Sequence, residues 1–98
     1  MAKQGEAALV RAIIRAVTGE YPKAIVVKLA DRFTRGLPDL LIVTLSTVYF
    51  VECKSEIGKL TPLQQAFQRR VDAVGGRVLH AVARSVHDVM SMLMDHEQ

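Results

Sequence analysis

The sequence contains a single cysteine, Cys53, and no tryptophan; phenylalanine and tyrosine together make up only 5% of its 98 residues. One cysteine excludes an internal disulfide and any zinc cage built on cysteines. His80, His87 and His96 show no HxxxH or other zinc-ligand spacing and read as structural or surface residues. No apolar run approaches the ~20 residues that cross a bilayer, and "MAKQGEAALVRAIIRAV" lacks the long apolar centre of a signal peptide. The expectation is a reducing, cytoplasmic setting without a membrane. Linkers, repeats and low-complexity tracts are also missing, so residues 1–98 are expected to form one domain.

What remains is an ordinary globular balance, half apolar and 23% charged. A chain of this length buries a core with little margin, and pairing with a second copy would add to it. The net charge of +3 and a pI near 9.4 permit a polyanionic partner without demanding one.

Leu9, Val10, Ile13, Ile14 and Val17 recur at helical spacing and predict an amphipathic helix over Gly5–Val17, ended by "GEYP". "KAIVVKLA" (Lys23–Ala30) is β-branched and reads as a strand. "DLLIVTL" and "TVYFVECK" then form two strands turning at Leu45–Ser46; without an Asn-Gly signal the turn leaves their register open. Thr61 is a suitable N-cap and Pro62 a suitable first residue for a helix burying Leu63, Phe67, Val71 and Val74. Gly75 and Gly76 end it, "RVLHAVA" is a strand, and Ser85 caps a last helix containing Val86, Val89, Met90 and Leu93. The order αβββαβα predicts an α/β domain with a small mixed sheet flanked by helices.

Charged residues punctuate the apolar stretch "GLPDLLIVTLSTVYFVECKS". Alternation along a strand places Glu52 and Lys54 on one face and Tyr49, Val51 and Cys53 on the other. If the hairpin turns at Leu45–Ser46, Asp39 lies across from Glu52. Two carboxylates about 4 Å apart repel by roughly 4 kcal/mol at an effective dielectric of 20, against a total stability of about 5–15 kcal/mol. One of them must hold a proton, or a cation must lie between them. Magnesium suits such a pair, since it binds through one or two carboxylates and completes its shell with water and phosphate oxygens. Lys54 could then stabilise charge on a phosphate or help to activate water. The plainer alternative is a Glu52–Lys54 surface ion pair with Asp39 at a strand end.

Taken together, "GLPDLLIV…VYFVECKSEIGKLTPLQQAF", the pair Gly75–Gly76, "ARSVHDV" and Glu6 on the first helix resemble the VRR-NUC (virus-type replication-repair nuclease) branch of the PD-(D/E)XK nuclease superfamily. The similarity runs from Glu6 to about Val89. The resemblance implies a restriction-endonuclease-like core and hydrolysis of DNA phosphodiesters with Mg2+ or Mn2+ and no small-molecule cofactor. It implies Asp39 and Glu52 as metal ligands, the backbone carbonyl of Cys53 as a third, and Lys54 as the residue that orients or activates water. It adds Glu6, directly or through water, which otherwise reads as a first-turn glutamate complementing the helix dipole. The "LTPxQ" spacing selects Gln64 over Gln65 and Gln68 as the glutamine facing the cleft.

Arg32, Arg35, Lys59, Arg69 and Arg70 flank these motifs and are candidates for neutralising DNA phosphates, although each also reads as a solvated charge. By the resemblance to junction resolvases, the substrate is expected to be branched DNA such as a four-way junction, and the protein a homodimer. Two other readings share the fold: a non-catalytic DNA- or protein-binding module, and a nuclease acting on RNA or simple DNA ends. Cys53, on the face away from Glu52, reads as a buried small residue, and the face bearing Met90, Met92 and Met94 as core or subunit contact.

Overall fold

In the computed structural model, which describes residues 2–31 and 33–97, the first helix (α1, Ala2–Glu20) outruns its expected end. Gly19 does not stop it, because the ladder continues through the Tyr21 N–H to the Val17 carbonyl (2.7 Å). Pro22 does, since the residue before a proline is disfavoured in helical conformation. Three strands follow: β1 (Ile25–Lys28), β2 (Leu40–Val43) and β3 (Val48–Cys53). Helix α2 (Pro62–Val74), strand β4 (Val78–Ala83) and helix α3 (Val86–His96) complete the order αβββαβα.

The sheet runs β1-β2-β3-β4, antiparallel except for the parallel β3–β4 pair, and is therefore mixed, as expected. Leu40 pairs with Val51 and Val43 with Val48, a register centred on Leu45–Ser46. No Asn-Gly turn sets it. The Thr44 N–H donates to the Thr47 carbonyl (2.9 Å), and the Thr47 N–H donates to Thr44 Oγ1 (3.1 Å). The two threonines close the hairpin from within.

Tyr49, Val51 and Cys53 point to one side, where they join Val10, Ile13 and Val17 of α1 and Val89 and Leu93 of α3 in the main core. Phe50 points to the other side and meets Phe67 of α2 edge to face at 5.4 Å. Of the stripe expected on α2, only Phe67 and Val71 are buried; Leu63 and Val74 are 47% and 71% exposed. The reason is coverage: α2 packs chiefly on β4, and Val74 borders an open hollow with Phe50, Val71 and Val78. Over β1 the same face is open, with Ile25 and Val27 exposed. The methionine face is mostly spent inside, Met90 and Met92 packing on the core and Met94 remaining exposed.

Two details fix the ends of the sheet. Gly36 has φ 76°, and a Cβ there would lie 2.2 Å from the Leu63 carbonyl oxygen, so only glycine lets the loop before β2 lie on the start of α2. At the opposite end Glu97 Oε2 accepts from the hydroxyls of Tyr49 (2.5 Å), Thr44 (2.8 Å) and Ser46 (2.9 Å). That carboxylate ties the end of α3 to the hairpin turn.

Candidate active site

The β2–β3 register extends one step beyond Leu40 and Val51, which brings Asp39 beside Glu52. Asp39 Oδ2 accepts the Cys53 N–H at 2.7 Å, fixing its carboxylate across the strand end. Glu52 is buried, 3% exposed, and its Oε1 has no hydrogen-bond partner. Burial raises the Glu52 carboxyl to about 9, helped by its hydrogen bond to Asp39 and by the charge of Asp39; Lys54 opposes the shift and Glu6 adds to it. Without a cation Glu52 therefore holds a proton at neutral pH. The unpaired Oε1 beside a second hard carboxylate fits a divalent ion of the magnesium type.

Glu6 approaches from α1. It lines a cavity of about 360 Å³ with Val10, Lys28 and Asp39, and its Oε2 accepts the Ser55 N–H at 3.3 Å. Among the described residues no three His, Cys, Asp or Glu side chains gather closely enough to hold a metal ion by themselves. The acidic centre is thus the pair Asp39–Glu52, with Glu6 tied to the loop after β3. Cys53 presents only its backbone here. Its side chain is fully buried in the core, and burial pushes the thiol up to about 12.

Lys54 is half-buried just past β3, its N–H donating to the Ala83 carbonyl (3.0 Å). The loop that follows is held by a residue absent from the expected site. One guanidinium nitrogen of Arg84, Nη1, donates to the carbonyls of Ser55 (2.6 Å), Glu56 (3.3 Å) and Gly58 (2.6 Å). Asp88 steadies the backbone there by accepting the Arg84 N–H (2.8 Å).

A solved structure described as a VRR_NUC domain matches this architecture with a TM-score of 0.70 and 27% sequence identity, over 96% of this chain and 98% of that one. The chain has the fold of a VRR_NUC domain. No family model matches the sequence, and no curated protein does. The expected mixed sheet and its flanking helices are those of the VRR_NUC-like fold.

Within this VRR_NUC-like frame Gln64 lines a second cavity, of about 270 Å³, together with Asp39, Asp31 and Thr34. Its Oε1 accepts the Thr61 N–H (2.8 Å) while Thr61 Oγ1 accepts the Gln64 N–H (3.2 Å), a capping box at the start of α2. The same "LTPxQ" spacing thus serves a helix cap and a place on the cleft wall. Gln65 is exposed, as expected. Arg35 and Lys59 are exposed on the loops bracketing the carboxylate pair, and Arg69 is exposed on α2; Arg32 lies outside the described residues. Arg70 lies 5.6 Å from the centre of the Phe67 ring, a cation–π contact that packs it against the helix. Lys28, which sequence reasoning passed over, shares the cavity of Glu6 and Asp39; nothing in a four-residue edge strand marks one lysine as facing a site.

His80 is not a plain surface residue. It is half-buried, and neither ring nitrogen has a hydrogen-bond partner. His87 and His96 are exposed, with His96 edge-on to the Tyr49 ring.

Proposed function

We propose that this protein is a divalent-metal-dependent endonuclease that hydrolyses phosphodiesters in branched DNA, such as four-way junctions, and works as a homodimer. The single observation that supports it best is the buried, unpartnered Oε1 of Glu52 beside Asp39. A buried carboxylate with an unpartnered oxygen beside a second carboxylate costs stability, whereas an ion shared with a phosphate uses both.

Asp39, Glu52 and the Cys53 carbonyl would hold Mg2+ or Mn2+, which when bound supplies Lewis-acid stabilisation of charge on the scissile phosphate. Asp39 is kept in place by the Cys53 N–H. Glu52, whose proton burial holds in the ion-free protein, would release it to bind the ion. Lys54, next to the pair and anchored through its backbone to β4, orients the attacking water or counters negative charge developing on the phosphate. Exposed Arg35 and Lys59, on either side, neutralise the flanking backbone.

Purified protein is expected to cut a four-way junction in the presence of Mg2+ or Mn2+. Asp39→Ala and Lys54→Ala are each expected to lower the rate by at least about a hundredfold while circular dichroism stays unchanged. Undiminished cutting by both variants would remove the site. Junction binding without turnover under any divalent metal would favour the non-catalytic module, and a preference for RNA or simple ends would change the substrate while keeping the chemistry.

A further inference from the structure

The chain has five aromatic residues, three Phe and two Tyr, and four of them are wholly or partly put away. Tyr49 is fully buried, Phe67 is 9% exposed, and Phe50 and Tyr21 are half-buried. Phe33 is 94% exposed. Isolated apolar side chains on a surface are ordinary, so its location decides its meaning. Phe33 lies between Asp31 and Thr34, two residues of the cavity wall that also includes Asp39 and Gln64.

Two hydrogen bonds to Asp31 brace the segment that displays it. The Phe33 N–H donates to Asp31 Oδ1 (2.9 Å) and the Thr34 hydroxyl to Asp31 Oδ2 (2.5 Å). Three residues on, Gly36 is pressed against the Leu63 carbonyl at the start of α2. A ring held on such a segment loses little freedom when it is covered. Exposed Arg35 stands two residues away and exposed Lys59 on the loop across the carboxylate pair. An aromatic face set among cations beside a phosphate-directed acidic pair suits a polyanion that also offers flat π-faces, which is a nucleic acid with an unstacked base.

We propose that Phe33 stacks on an unpaired or unstacked base next to the strand lying at Asp39 and Glu52, and that this contact makes DNA with interrupted stacking the preferred ligand over continuous duplex. The proposal rests on the nuclease reading and deepens it by naming how the substrate is chosen.

The test uses the full chain without added divalent metal and a four-way junction carrying 2-aminopurine at the branch, with a continuous duplex of the same sequence alongside. The parent is expected to change the 2-aminopurine emission on binding. Phe33→Ala should lose that change and bind the junction about tenfold or more weakly, with a smaller loss on duplex, while Phe33→Trp restores both. Its melting temperature should match the parent, given the exposure of the ring. An unchanged emission response in Phe33→Ala, or an equal loss on junction and duplex, overturns the proposal. Failure of the nuclease reading is separate: it appears as absence of cutting by the parent once Mg2+ or Mn2+ is added, whatever Phe33 does to binding.

Discussion

Glu52 stands between two opposing demands. Folding buries it against Asp39, and burial raises its carboxyl from 4.5 to about 9; a cation needs the same group ionised. A folded-state value above the unfolded one means that the folded protein holds more protons between those two pH values. Its contribution to stability is therefore complete below about 4.5 and lost as pH rises through about 9, in the absence of metal. Glu52→Gln keeps the shape and removes the titration. At pH 9 this variant should melt several degrees above the ion-free parent, and at pH 5 the two should nearly coincide. If Mg2+ or Mn2+ binds this pair, the rise in melting temperature it gives the parent should vanish in the variant. Thermal scans at the two pH values, with and without metal, check all three.

At the level of secondary-structure elements, α2 rests on β4 over His80, whose nitrogens have no partner. Burial lowers its basicity, and the charge of Asp72 on α2 opposes that shift without outweighing it. A depressed folded-state value means that stability is complete above the unfolded value of about 6.5 and declines as pH falls below it. Glu97, also depressed, loses its contribution only below its ordinary value of 4.5, so the two windows are distinct. His80→Phe should flatten the loss of stability between about pH 6.5 and 5 and leave the steeper acid limb in place, as read by denaturant titrations across that range.

The elements also show where a sequence is readable. Period-two alternation set Asp39 against Glu52 only given a turn at Leu45–Ser46; no turn motif fixed that register, which the Thr44–Thr47 hydrogen bonds set. Thr61, Pro62 and Ser85 announced their helices, and Thr61 and Ser85 do cap them. The Arg84 contacts were not readable. They span 26 to 29 residues of chain and end on loop carbonyls, which every residue type carries alike. The exposure of Leu63 and Val74 was also hidden: apolar spacing tells which face of a helix turns inward, not how much of that face is covered.

For the whole molecule, the face left open over β1 bears on assembly. Ile25 and Val27 are 59% and 41% exposed on an edge strand whose outer backbone groups lack a partner strand. Such edges favour pairing with another chain, and the methionine face offers only Met94. If the protein is a homodimer, a second copy seated on this half of the sheet is the arrangement that supports it. Ile25→Glu should then shift sedimentation from dimer to monomer at micromolar concentration without unfolding the domain, whereas Met94→Glu should leave the dimer intact.

Cys53 lies in the chain between Glu52 and Lys54 with its sulfur sealed in the core. The molecule thus carries its own reporter of whether the centre has come apart. Alkylation by iodoacetamide proceeds only when β3 lifts from α1 and α3, and the single thiol leaves no other adduct to confuse the mass spectrum. If a divalent ion binds Asp39 and Glu52, it clamps β2 to β3, and manganese should then slow that labelling in the parent and leave the rate unaltered in Asp39→Ala.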